Sequence, residues 1–203
     1  GIFKLVLKQN GFAEFKIKKI SNDNYDLIID EKDRGKPMFA SYTGSELPEE
    51  REIIKNVLNS NWNLVPSSLI TKIKEMMPSI QNNYLGEVIK VLMITSSGAE
   101  GISLQNVRYV HIMEPYWHPV RTEQVIGRAR RICSHQSLPL ELRTVEVFLY
   151  LSVFTAEQLD SEHSAELKLK DQSKLTGIPQ SSDEKLFEVS NIKENLATQL
   201  LRG

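Results

Sequence analysis

Two nearly continuous apolar runs, residues 88–95 and 107–113, constrain the fold of this chain more than any other feature. Runs of this length, rich in valine and isoleucine, are typical of strands that are buried on both faces of a sheet. Segments with helical spacing alternate with these strands, which is typical of parallel sheets. The sequence therefore predicts an α/β fold, a parallel sheet with helices on both faces that binds ligands at the carboxyl ends of its strands.

Helix and strand signals alternate along the rest of the chain. Gly11 follows a short helical pattern and is expected to end it, and Pro48 stands at the start of an amphipathic helix. Ser181 and Glu184 have the spacing of a capping box in front of a terminal helix. The predicted elements are helices over about 2–9, 48–58, 67–77, 119–132 and from 181 onward, and strands over 13–17, 38–42, 88–95, 107–113 and 144–154, with a polar stretch over 21–36.

The length predicts one domain with an appended segment. The chain has 203 residues, and a typical domain has roughly 150. We expect residues 1–154 to form the domain, with a truncated N-terminal edge. Residues 155–203 form a polar, acidic extension that ends in a helix.

The charge is balanced overall but not locally. The net charge of −1 excludes a global field that would attract nucleic acid or a membrane surface. Residues 105–135 nevertheless carry five arginines against two acidic residues.

The single cysteine, Cys133, cannot form an internal disulfide, no Cys and His cluster has zinc spacing, and no metal site is predicted. A reducing, intracellular setting is expected, with Cys133 as a small packed thiol.

The helix predicted over 119–132 has two distinct faces. At about 100° per residue, Gln124, Gly127, Arg128 and Arg131 share one face, and an apolar face lies opposite. Two arginines one turn apart repel each other, so an anion between them is a natural partner. A triphosphate fits, because an arginine can stabilise the charge that develops in phosphoryl transfer. A solvated basic helix or a nonspecific phosphate patch is the alternative interpretation.

The loop after the first apolar run has the composition of a phosphate-contacting turn. Gly98 and Gly101 allow backbone N–H groups to approach a phosphate, and Thr95, Ser96 and Ser97 add hydroxyl donors. The alternative is a tight turn that binds no phosphate, which would need the same glycines. The arginine-bearing helix downstream favours the phosphate interpretation.

Three blocks of the sequence resemble a known family. The loop at 95–104 and Gln-x-x-Gly-Arg-x-x-Arg at 124–131 resemble motifs V and VI of the second RecA-like lobe of superfamily-2 helicases. Between them, Glu-Pro-Tyr-Trp-His-Pro at 114–119 is similar to a block of Swi/Snf-type translocases. The wider pattern, over roughly residues 1–200, resembles helicases of large DNA viruses related to the poxvirus early transcription factor ATPase. It includes the segments 11–15, 42–44 and 49–54.

The resemblance implies a role for each motif residue. Arg128 and Arg131 would contact the γ-phosphate of ATP, and Gln124 would couple that site to the nucleic-acid track. Thr95, Ser96 and Ser97 would lie on the nucleic-acid phosphates. Ser103 stands where many relatives have Asp or Asn, which puts its contact in question. The residues expected to line the nucleotide side of the cleft are Gly98, Gly101, Ser103 and Gly127.

The function that the resemblance implies is that of a C-terminal motor lobe. It would serve an ATP-dependent nucleic-acid helicase or translocase in viral transcription, with DNA expected as the track rather than RNA. ATP and Mg²⁺ would be held mainly by a first RecA-like lobe of the same parent chain, and no membrane is involved. For a viral protein, the cytoplasmic virus factory or the virion is the expected location. The alternative is a nucleic-acid-binding module that hydrolyses nothing.

The chain lacks the nucleotide-binding motif of a first lobe. No Gly-x-x-x-x-Gly-Lys-Ser/Thr is present, and its only Gly-Lys pair, Gly35-Lys36, is followed by Pro37. Asp-Glu-Lys-Asp at 30–33 is similar to a sequence that holds Mg²⁺ in a first lobe. Only some 65 residues separate it from the 95–104 loop, which is too few for the rest of a first lobe and the start of a second. We expect it to be a chance match. These residues alone are therefore predicted not to hydrolyse ATP.

Overall fold

The computed structural model describes residues 2–21, 24–95, 101–160 and 180–202. Contacts divide the chain into two compact units, residues 1–107 with 128–144, and residues 108–127 with 145–203. The helices are α1 (Ile2–Gln9), α2 (Pro48–Leu58), α3 (Ser67–Met76), α4 (Pro119–Ala129), α5 (Ala156–Asp160) and α6 (Ser182–Arg202). The strands are β1 (Ala13–Glu14), β2 (Lys16–Ser21), β3 (Asn24–Ile28), β4 (Met38–Tyr42), β5 (Ile89–Ile94), β6 (Tyr109–Ile112) and β7 (Glu146–Leu149).

The first unit is built on a parallel sheet of order β1-β4-β5. Strand β4 is buried along its whole length, and its last residue, Tyr42, pairs with Ile94 at the end of β5. Helices α2 and α3 connect these two parallel strands and bury their apolar faces, as crossover helices do. Ala40, Val57 and Leu69 of this core are fully buried.

An antiparallel hairpin lies where the sequence predicted only a polar stretch. Strands β2 and β3 pair with each other, so the single strand predicted over 13–17 is two short strands in different sheets. Tyr25 and Leu27 on β3 are buried. Ser68 of α3 bonds both the backbone N and the backbone O of Tyr25, each at 3.1 Å. The hairpin was missed because the short apolar stretch of β3 lies among polar residues and packs against α3, a helix that follows about 40 residues later in the chain.

The second unit contains a parallel pair of strands, β6 and β7, in which Ile112 is paired with Leu149. The prediction that residues 107–113 are buried on both faces is wrong, because Tyr109 and His111 are exposed. The His111 ring instead stacks on Phe148 with centroids 5.0 Å apart. Aromatic and β-branched residues suit a strand whether or not its faces are covered, so the apolar run indicated the strand but not its burial.

The terminal helix α6 begins with the predicted capping box. The backbone N–H of Glu184 donates to the Ser181 hydroxyl at 3.1 Å, and the backbone N–H of Ser181 donates to the Glu184 carboxylate at 2.7 Å. The helix is held within the second unit, since Ser152 N donates to the Asp183 carboxylate at 2.8 Å. The α/β class is thus confirmed, with parallel sheets flanked by helices and a C-terminal helix, as in a RecA-like lobe. The boundary predicted at 154–155 stays a prediction.

Candidate functional site

The arginines of the 124–131 block lie at the end of α4 and just beyond it. The helix ends at Ala129, so the prediction that it continues to Ile132 is wrong and Arg131 does not share the helical face. Ser134 accounts for this end, because its hydroxyl lies 3.1 Å from the carbonyl oxygen of Ala129 and 2.8 Å from that of Arg131. A side chain that bonds the last carbonyls replaces the bonds that a longer helix would make. We call residues 128–135 the arginine turn.

Cys133 lies in this turn with its side chain exposed, so the predicted packed thiol is wrong. Its φ is +62°, a left-handed conformation that serves to reverse the chain after a helix. Turn geometry at this residue determines the exposure of the thiol, and composition alone does not contain that information.

The two arginines have different surroundings. Arg128 is half-buried, and its Nε is a buried atom without a hydrogen-bond partner in the described part of the chain. Arg131 is exposed, and its Nη2 donates to the carbonyl oxygen of Ile102 at 3.3 Å. Buried polar groups normally have partners. Two guanidinium groups three residues apart in one turn are chemically suited to an anion.

Residues 102–107, which we call the bracing segment, are hydrogen-bonded to the arginine turn. Leu104 N donates to the carbonyl oxygen of Arg128 at 3.4 Å, and Asn106 N donates to that of Ser134 at 2.9 Å. His135 adds a side-chain bond, because its Nε2 lies 2.8 Å from the carbonyl oxygen of Val107. The segment that follows the glycine-bearing loop therefore positions the arginine turn.

Asn59 holds the opposite side of the bracing segment. Its Nδ2 donates to the carbonyl oxygen of Ser103 at 2.9 Å, and its Oδ1 accepts from the backbone N–H of Gln105 at 2.9 Å. Sequence reasoning missed this residue. The only available signal was an asparagine directly after an amphipathic helix, a position that asparagine also occupies simply to end helices.

The loop residues are placed as follows. Thr95 is exposed and follows the last residue of β5, at the carboxyl end of the parallel sheet. Gly101 has φ +74°, a conformation that favours glycine, and a Cβ added there would meet no described atom within 4 Å. Ser103 is half-buried and bonds Asn59 through its carbonyl. Ser96, Ser97 and Gly98 lie outside the described residues.

Gln124 and Gly127 are exposed residues of α4 that belong to the second unit. A Cβ added at Gly127 would meet nothing within 4 Å among the described atoms. Arg128, Arg131 and the bracing segment thus belong to the first unit, and Gln124 and Gly127 belong to the second. The roles of all these residues stay predictions.

Thr43 lies at the same edge of the sheet as Thr95, because each follows one member of the register pair Tyr42 and Ile94. The Glu46 carboxylate accepts from both the backbone N and the hydroxyl of Thr43, at 2.7 and 2.6 Å. Partial burial acts to raise the pKa of Glu46, but these bonds outweigh it, so the pKa lies below its usual value. This carboxylate keeps the turn after β4 ordered.

No group of three or more His, Cys, Asp or Glu among the described residues could hold a metal ion. None of the described helices is long and apolar enough to cross a membrane.

The fold and the two glycine- and arginine-bearing segments define a RecA-like helicase lobe, and comparison with known proteins specifies the family. Residues 25–133 match the model of the helicase conserved C-terminal domain. The chain is 33% identical over 171 residues to a protein named termination factor NPH-I homolog from African swine fever virus, which covers 82% of this chain and 24% of that protein. This chain belongs to the helicase conserved C-terminal domain family.

Two further relatives come from other large DNA viruses. A putative ATP-dependent RNA helicase, R350, of Acanthamoeba polyphaga mimivirus is 34% identical over 163 residues, which is 80% of this chain and 16% of that protein. Nucleoside triphosphatase I of Melanoplus sanguinipes entomopoxvirus is 35% identical over 82 residues, 40% of this chain and 13% of that protein. The chain therefore spans a quarter or less of the length of these relatives.

Proposed function

We propose that this chain is the C-terminal motor lobe of an ATP-dependent nucleic-acid helicase or translocase. The observation that carries the proposal is the set of hydrogen bonds between the arginine turn and the bracing segment. Through these bonds, any displacement of the loop that precedes the bracing segment would reach Arg128 and Arg131. A motor needs such a link between its nucleic-acid contacts and its hydrolysis site.

In this proposal Arg128 and Arg131 bind the γ-phosphate of ATP and stabilise the charge of the transition state. The presence of two guanidinium groups in the arginine turn supports the fit to an anion. Bound ATP with its Mg²⁺ supplies the phosphoryl group, and a first RecA-like lobe elsewhere in the same polypeptide holds most of it. Gly98, Gly101, Ser103 and Gly127 line the nucleotide side, and Gln124 couples hydrolysis to the track.

Thr95, Ser96 and Ser97 are proposed to contact phosphates of the nucleic acid. Hydroxyl and backbone N–H contacts of this kind position a protein on the track without reading sequence. We propose DNA as the track, although the mimivirus relative is named as an RNA helicase. The African swine fever virus relative is named as a termination factor, which supports a role in viral transcription, in a cytoplasmic virus factory or the virion.

The test is ATP hydrolysis by the full-length protein that carries this chain. Arg128→Ala and Arg131→Ala should each lower kcat by about 10³- to 10⁵-fold while ATP binding changes little. Arg130→Ala is the matched control, because Arg130 is an exposed neighbour that shared neither predicted helical face. Normal turnover by both Arg128 and Arg131 variants would overturn the proposal. Residues 1–203 alone should not hydrolyse ATP.

The alternative, a nucleic-acid-binding module without hydrolysis, makes a different prediction. Residues 1–203 alone would then bind DNA or RNA with a steep salt dependence, and the slope would fall by about one for each arginine removed. Salt-dependent binding together with an absence of ATP hydrolysis by the full-length protein would favour that module.

A further inference from the structure

We propose that Asn59 is a positioning residue for ATP hydrolysis, which sets the placement of the arginine turn through the bracing segment. The inference rests on the proposed function and names a residue outside the helicase motifs. The inference is based on two hydrogen bonds that the side chain of Asn59 makes, one with Ser103 and one with Gln105. These residues lie 44 and 46 positions away in the chain.

The chemistry of the partners determines the orientation of the amide. The carbonyl oxygen of Ser103 can only accept, so it needs the Nδ2 of Asn59, and the backbone N–H of Gln105 can only donate, so it needs the Oδ1. Only a side chain with a donor and an acceptor side by side satisfies both. The side chain of Asn59 is 6% exposed, so water cannot readily replace either bond.

The bracing segment transmits this constraint to the arginines. Leu104 lies between the two residues that Asn59 holds, and its backbone N–H bonds the carbonyl oxygen of Arg128. Ile102 precedes them, and its carbonyl oxygen bonds the guanidinium of Arg131. Asn59 therefore acts on both arginines through one intervening peptide segment, and it touches neither of them. A shift of about 1 Å at a catalytic group can cost about 100-fold in rate.

Asn59→Asp in the full-length protein is the sharpest variant. The carboxylate keeps an acceptor for Gln105 but places an oxygen against the carbonyl oxygen of Ser103, where a donor is needed. A protonated carboxyl group restores the donor, so the defect should diminish as the pH falls. At about pH 8.5 we expect kcat for ATP hydrolysis to fall by about 10- to 100-fold, with KM for ATP changed less than threefold. Towards about pH 6, the kcat of the variant relative to that of wild type should recover.

Asn83→Asp is the matched control. Asn83 is also a buried asparagine, 3% exposed, and its side chain also bonds backbone groups. Its Nδ2 donates to the carbonyl oxygens of Leu58 and Ile89, and its Oδ1 accepts from the N–H groups of Val88 and Ile89. It therefore reports the cost of a buried carboxylate that contacts the peptide group between Leu58 and Asn59 but not the bracing segment. Asn83→Asp should lower the unfolding temperature at least as much as Asn59→Asp, yet leave kcat within about threefold of wild type below that temperature.

The possible outcomes separate the two proposals. A fall in kcat with Asn59→Asp that exceeds the fall with Asn83→Asp, and that is reversed at low pH, supports the positioning role. Equal kcat in the two variants, with Arg128→Ala inactive, overturns the role of Asn59 and leaves the proposed function standing. Normal hydrolysis by Arg128→Ala and Arg131→Ala overturns both.

Should Asn59→Asp not fold, Asn59→Ala removes both bonds without burying a charge, and its kcat is compared with that of Asn83→Ala in the same way. Hydrogen exchange of the wild-type protein is a second measurement. The Gln105 amide should be as protected as that of Asn106, which bonds Ser134. Exchange of Gln105 at the rate of an open loop would overturn the inference.

Discussion

The Nε2 atom of His135 lies 2.8 Å from the carbonyl oxygen of Val107, and the Nδ1 atom of the same ring lies 2.8 Å from the hydroxyl of Ser134. Because a carbonyl only accepts, the Nε2 atom carries a proton. The Nε2 bond therefore connects the bracing segment to the arginine turn, and Nδ1 of a neutral ring shares the single hydroxyl hydrogen of Ser134 with the carbonyl oxygens of Ala129 and Arg131.

Removal of this ring should destabilise the protein. His135→Ala loses two side-chain hydrogen bonds, and we expect the free energy of unfolding to fall by about 1–3 kcal/mol. His118→Ala is the control, since its exposed ring makes one long bond, 3.3 Å, to the backbone of Val120. Chemical denaturation measures the free energy of unfolding of both variants. Equal losses in the two variants would contradict the prediction.

Glu14 should make the stability of the first unit depend on acid. Its carboxylate lies 2.8 Å from the amines of both Lys4 and Lys8 on α1. Partial burial acts to raise its pKa, but the bonds to the two lysines outweigh it, so the pKa lies below its ordinary value of 4.5. The stabilisation is therefore fully present above that ordinary value, and it is lost as the pH falls through the lower pKa of the folded state.

The measurement is the unfolding temperature of wild type and Glu14→Gln as a function of pH. Wild type should be the more stable at neutral pH, and the difference should shrink to zero below the folded pKa of Glu14. Glu31→Gln, at an exposed carboxylate, is the control and should leave the curve nearly unchanged. A difference that persists unchanged into strong acid would contradict the assignment.

Gly127→Ala should have opposite effects on stability and on activity. Gly127 lies inside α4, where alanine is favoured by about 0.5–1 kcal/mol, and an added Cβ meets no described atom. We therefore expect a more stable protein. If Gly127 leaves room for the nucleotide, ATP hydrolysis by the full-length protein should nevertheless fall.

Gly101→Ala supplies the contrast. Its φ of +74° penalises any Cβ by roughly 1–2 kcal/mol although that Cβ would meet no described atom. Denaturation and hydrolysis assays on both variants make the comparison. Unchanged hydrolysis in Gly127→Ala would remove that residue from the proposed nucleotide side.

Lys193 should hold α6 within the second unit. Its Nζ lies 3.6 Å from the ring centroid of Trp117, a close cation–π contact. Lys193→Met keeps the aliphatic stem but removes the charge, and we expect opening of α6 to become easier by about 0.5–2 kcal/mol. Hydrogen exchange along α6 measures this. Lys185→Met is the control, because Lys185 pairs with Glu188 of the same helix at 3.5 Å, and it should have little effect.

The local elements of the fold were predictable because their signals are local. Strand β4 and helix α2 begin and end where the sequence placed them, since apolar spacing and a first-turn proline act within a few residues. The β2–β3 hairpin and the end of α4 were not. Burial of Tyr25 depends on α3, and the end of α4 depends on the Ser134 hydroxyl, which no periodicity reveals.

By itself, the sequence determined the α/β class, the order of the motifs and the family, because a helicase lobe is encoded in short blocks whose spacing survives in one chain. Only the tertiary structure decided which groups hold the arginine turn. Asn59 and Ser103 are 44 residues apart, and His135 and Val107 are 28 apart. A hydrogen bond between backbone and side chain at such a separation carries no signature in either residue, because its partner is selected by packing of the whole unit.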